Sequence, residues 1–114
     1  RGNSLLSTED TDLVLTNEKL GLGWGVFPSL ELKHLIPNGR LSENYLLLLS
    51  EGMATSGTAL HIRRGTFVAE LSAWQMRMVW LKTLIKRGPR AARFYRAHVR
   101  GVRKGIELAK REGY

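Results

Sequence analysis

Phe67, Leu71, Trp74, Met78, Leu81 and Ile85 recur at alternating four- and three-residue steps. Only a helix puts positions so spaced on one side, so this stretch must coil. Val79, Trp80 and Leu84 extend the apolar surface beyond that side. Such a helix has to cover itself with its neighbours, a second subunit or a membrane surface. Core packing is the ordinary use of Trp and Met at this spacing, and any part left open favours self-association. Gly88-Pro89 then ends the helix and starts another, because Pro is favoured at a first helical position. In that last helix Arg90, Arg93, Arg96, Arg100 and Arg103 form one stripe, joined by Lys104. Phe94, Val99, Val102 and Ile106 lie towards the other side.

Charge separates the chain into two parts. Residues 1–60 hold four Lys/Arg and seven Asp/Glu, net −3; residues 61–114 hold fourteen and three, net +11, giving the total of +8. A basic amphipathic helix suits an anionic membrane surface, nucleic acid or an acidic partner, and is also compatible with a merely solvated face. No known nucleic-acid motif occurs, and no aromatic stacking series runs between the arginines. The 114 residues suffice for one small domain with a core. With no Cys, disulfides and Cys-based metal sites are excluded. Unbroken apolar runs fall short of the ~18–20 residues that a membrane span needs, and no secretory-type leader pattern follows Arg1.

The acidic half opens on a helix. Ser7 and Thr8 are good caps, Ser7 and Asp10 stand at capping-box spacing, and Leu13-Val14-Leu15 and Leu20 lead to a stop at Gly21. Glu9, Asp10 and Asp12 fall in or near the first turn, where acids complement the helix dipole. Gly21-Leu22-Gly23-Trp24-Gly25 comes after a helix rather than before one, so it reads as a stop and a turn, not a phosphate loop. Residues 24–36 are expected to form two short strands broken by Pro28-Ser29. In the second strand Leu30, Leu32, His34 and Ile36 would share a face. A lone His on such a face is ordinarily a core residue. Pro37-Asn38-Gly39 is a turn, Ser42 a cap, and Tyr45 to Ile62 one helix, or two with a break near Ser56-Gly57. Arg40 is a surface or capping residue by default.

Leu5-Leu6-Ser7-Thr8-Glu9-Asp10-Thr11-Asp12-Leu13 resembles the Glu-Asp motif of family 2 glycosyltransferases, inverting enzymes with a GT-A nucleotide-sugar fold. Lys19-Leu20-Gly21, Val26-Phe27-Pro28, Leu30-Glu31-Leu32-Lys33-His34 and Leu35-Ile36-Pro37-Asn38-Gly39-Arg40-Leu41 resemble, in order, the segments beyond the motif in a bacterial subgroup. The resemblance covers roughly residues 1–65 and fades where the basic part begins. Thr8 replaces the Gly of many members, a variant that the family also contains.

The resemblance implies a mainly α piece with a short two-stranded β element, the C-terminal end of an α/β GT-A enzyme, with 1–65 closing the catalytic core and 66–114 a basic helical tail. It implies transfer of a sugar from a nucleotide-sugar donor to a glycan or lipid-linked acceptor hydroxyl, as in cell-envelope polysaccharide synthesis, at the cytoplasmic face of the membrane. Asp10 would be the base and Glu9 would position it or the acceptor. His34 would touch a divalent metal (Mg or Mn) or the diphosphate, and Arg40 a substrate phosphate. Arg93, Arg96, Arg100 and Arg103 would meet the anionic membrane. The donor-binding half and an Asp-containing metal motif, which family members carry ahead of this region, find no match, so we expect a piece of a longer enzyme that is inactive alone. The alternative is a non-enzymatic basic helical module that binds nucleic acid or an acidic partner.

Overall fold

The structure is a computed structural model and describes residues 9–23, 25–66, 68 and 71–114. Three α-helices and one 3-10 turn account for its regular elements: α1 (Glu9–Lys19), the 3-10 turn (Asn38–Leu41), α2 (Glu43–Arg63) and α3 (Ala73–Arg111). The mainly helical expectation holds. The proposed caps Ser7 and Thr8 lie outside the described residues, as do Trp24 and Phe67.

Helix ends follow the sequence signals closely. Gly21 has φ 72° and closes α1 through two reversed bonds, its N–H donating to the Glu18 carbonyl (3.0 Å) and that of Leu22 to the Asn17 carbonyl (2.9 Å). This is the Schellman stop that a glycine just past the last turn permits. Ser42 caps α2 by accepting from the Tyr45 N–H at 3.3 Å. Ser72 caps α3 in a complete capping box with Gln75, so this helix begins at Ala73, after Leu71. α2 runs unbroken through Ser56-Gly57.

Gly88 has φ 83° and ψ 177°, a conformation that essentially only glycine adopts, and Pro89 restarts the helix behind it. α3 is therefore two arms, 73–87 and 89–111, folded back on each other. Contacts fix the directions: Glu43 meets Arg90 and Arg93, Glu51 meets Arg100 and Lys104, and Arg63 meets Glu112. The second arm thus runs parallel to α2. The first arm is the return connection, with Trp80 against Arg96 and Met76 against Arg103.

The α2–α3 seam is built from small residues. Ala97, Gly101, Gly105 and Ala109 stand four apart and are all buried, facing Ala54, Thr55 and Thr58. A Cβ on Gly105 would lie 2.5 Å from the Thr55 carbonyl oxygen and 2.6 Å from the Thr58 Cβ; one on Gly101 would run into the Glu51 carbonyl oxygen. The backbones touch because no side chain stands between them. Buried hydroxyls of α2 are satisfied locally: Thr55 in the seam donates to the Glu51 carbonyl (2.9 Å) and Ser56 to the Gly52 carbonyl (2.8 Å).

Two expectations are corrected. No strand occurs among the described residues, and residues 25–36 are irregular apart from a turn at Pro28-Ser29, closed by the Leu30 N–H donating to the Phe27 carbonyl (2.9 Å). Strands need a neighbour, and a lone two-stranded ribbon is marginal in water; here Leu32 is 88% exposed and Val26 82%. Second, the stripe of Trp74, Met78, Leu81 and Ile85 is not core: all four are exposed, while Met76, Trp80 and Leu84 turn inwards.

Candidate functional site

The acidic first turn of α1 separates into two sides. Arg64, just beyond α2, grips α1 through one guanidinium. Its Nη2 donates to Asp12 Oδ1 (2.6 Å), the Asp12 carbonyl (2.9 Å) and Thr16 Oγ1 (2.8 Å), and its Nε to Asp12 Oδ1 (3.1 Å). Asp12 and Thr16 are one turn apart, so α1 is held against rotation about its axis. Asp10 precedes Asp12 by two residues, roughly 200° around the helix. It is exposed, and it forms no ion pair among the described residues. The side chain of Glu9 lies outside the described part of the molecule.

His34 and Arg40 are both exposed, the first in the irregular segment and the second in the 3-10 turn. No bond joins either to Asp10, and among the described residues no three His, Asp or Glu gather as a metal-ligand set. His34 does not share an apolar face with Leu30, Leu32 and Ile36, because no strand forms to create one. The described residues by themselves do not fit a metal.

The arginines of the last helix have identifiable partners. Arg93 bonds Glu43 (3.0 Å) beside Arg90 (3.1 Å), and Arg100 bonds Glu51 (2.9 Å) beside Lys104 (2.5 Å). Arg96 lies 4.4 Å above the Trp80 ring, a cation–π contact, and Arg103 Nη2 approaches the Met76 sulfur at 3.8 Å. These contacts hold Glu43 below the usual carboxylate range, through Arg93 first, and Glu51 likewise through Lys104. Arg63 is pushed above its ordinary value by its bond to Glu112. The stripe expected to meet a membrane is therefore partly engaged in joining α3 to α2 and in joining its own two arms. Arg90 and Arg93 nonetheless keep 80% and 68% of their side chains in solvent.

Between the two arms lies an open groove of about 660 Å³ with Met76, Trp80 and Tyr95 on its floor and Arg77, Arg96 and Arg103 at its rim. A second hollow of about 540 Å³ adjoins it beyond Tyr95. The Tyr95 hydroxyl is buried and has no hydrogen-bond partner among the described residues. Sequence reasoning passed over the Arg64 clamp and the Gly101/Gly105 seam. The second had a signal, Ala97-x-x-x-Gly101-x-x-x-Gly105-x-x-x-Ala109; the first had none, since it depends on where α2 ends in space.

No protein-family model matches the chain, and neither characterised proteins nor solved structures give a match. No described helix is long and apolar enough to cross a membrane.

Proposed function

We propose that the chain is the C-terminal part of an inverting glycosyltransferase of family 2 type, with Asp10 as the catalytic base. The observation that carries this reading is the division of the acidic turn: Asp12 is occupied by Arg64, whereas Asp10 stands exposed on the opposite side of a helix held in fixed rotation. A general base must have its carboxylate open to the substrate, and its helix must not turn it away. In the reaction Asp10 takes the proton of an acceptor hydroxyl. The freed oxygen attacks the anomeric carbon from the side opposite the nucleotide diphosphate, which departs with the bonding electron pair, and the centre inverts. The donor half and the metal's main ligand belong, by the same resemblance, to the region ahead of this one. The acceptor is a glycan or lipid-linked glycan, and the setting is the cytoplasmic membrane face.

The test is a pair of substitutions in the enzyme that includes its donor-binding half. Asp10→Asn should lower turnover by at least ~100-fold with donor affinity little changed. Asp12→Asn should cost much less, because it loosens the Arg64 clamp without removing a base. Equal losses, or none, would sink the assignment. The described chain alone should bind uridine or guanosine diphosphate sugars feebly; micromolar affinity by calorimetric titration would contradict a missing donor half.

A further inference from the structure

The exposed apolar ridge on the first arm of α3 has no cover among the described residues. Trp74 is 69% exposed and Ile85 76%, with Met78 and Leu81 between them. From Trp74 to Ile85 the ridge extends for about 17 Å at 1.5 Å per residue. Cations border it on both sides. Arg77 follows Trp74 by three and precedes Leu81 by four, which sets it on one flank. Lys82 follows Met78 by four and precedes Ile85 by three, and with Lys86 it occupies the other flank. None of the three has an ion-pair partner among the described residues. From Leu71 to Ile106 there are ten Lys/Arg and no Asp/Glu.

We propose that this arm, rather than the arginine stripe of the last helix, is where the protein lies on an anionic lipid surface. The layering of the ridge matches that of a bilayer edge: apolar side chains meet the acyl region, Trp74 sits at the boundary that indoles favour, and the long flanking side chains reach up to phosphate groups. A second copy of the chain fits less well. A two-fold contact would set Arg77, Lys82 and Lys86 of one ridge against the same cations of the other. The opposite side of the arm is already packed on 89–111 through Met76 and Trp80, so the ridge can insert without unfolding anything.

Flotation of the chain with phosphatidylcholine vesicles, with and without phosphatidylglycerol, tests this without any sugar donor, so its outcome is separate from that of glycosyl transfer. Binding is expected only where phosphatidylglycerol is present, and it should weaken as salt is raised. Each cation near such a surface contributes about fivefold. Arg77→Gln, Lys82→Gln and Lys86→Gln together should therefore lower binding at least ~tenfold, and Trp74→Ser with Ile85→Ser should do the same. Arg93→Gln with Arg100→Gln should change it less than ~threefold. Circular dichroism should report an unchanged fold for the exposed-ridge variants. The proposal is overturned by equal binding to neutral vesicles, by no binding, or by a dimer in sedimentation that Leu81→Glu disperses.

Discussion

The two arms of α3 use side-chain size in opposite ways. The arm after Gly88 buries Ala92, Ala97, Gly101, Gly105 and Ala109, with Ile106 as its one large buried residue, and the arm before it exposes Trp74, Met78, Leu81 and Ile85. Burial thus follows backbone proximity rather than hydrophobicity. At Gly101 and Gly105, where α2 and α3 touch, large side chains have no room; where the exposed large ones of the first arm sit, no other described residue covers them. An apolar pattern states that a face prefers cover, and it is silent about whether this chain supplies it.

The largest effect is expected at the seam. Gly101→Ala and Gly105→Ala gain up to ~1 kcal/mol each in helix propensity, but each new Cβ meets a carbonyl oxygen of α2 that moves only if the helices part. Overpacking of this kind costs about 1–3 kcal/mol per site, so the double variant should be clearly less stable in urea. A double variant as stable as the parent would refute the close approach of the two helices.

Next comes the joint between the arms. Gly88→Ala places a Cβ on a backbone at φ 83°, ψ 177°, at a cost of about 1–3 kcal/mol. A fall in thermal midpoint with retained helix content would support it. An unchanged midpoint would mean that the arms join at another angle.

A smaller effect is expected from acid. Glu43 and Glu51 have their folded-state values lowered by the arginines and lysine of the second arm. Their contribution is fully present above the ordinary glutamate value of about 4.3 and is lost as pH falls through the lower folded-state values. Stability followed by urea titration should therefore drop below about pH 4.3, and Glu51→Gln should flatten that drop. The basic partners are largely solvent-exposed, although Glu51 is mostly covered, and this limits what the pairs contribute.

Least of all should change at the ridge. Ile85→Ser and Leu81→Ser remove side chains that already face water, so stability should stay within about 0.5 kcal/mol. A loss of several times that would mean that the first arm packs against the protein on its outer side.

Much of the helical skeleton was legible. Gly21 and Ser42 bound their helices, and Gly88-Pro89 breaks α3, because caps and stops act through bonds among neighbouring residues. The two strands expected at 24–36 do not form among the described residues 25–36, since an alternating pattern becomes a strand only beside another strand. The site was legible only in part. Asp10 and Asp12 look alike in sequence, and it is Arg64, more than fifty residues away, that makes them different.

The glycine pair also bears on how this chain can vary. Any single-base change in a glycine codon that alters the amino acid adds at least a Cβ, and at Gly101 and Gly105 a Cβ has nowhere to go. Drift at these two codons is therefore blocked in every direction at once. Adaptation in this part of the molecule has to begin with a wider spacing of α2 and α3, because the backbone carbonyl oxygens of Glu51 and Thr55 lie in the way of either new side chain.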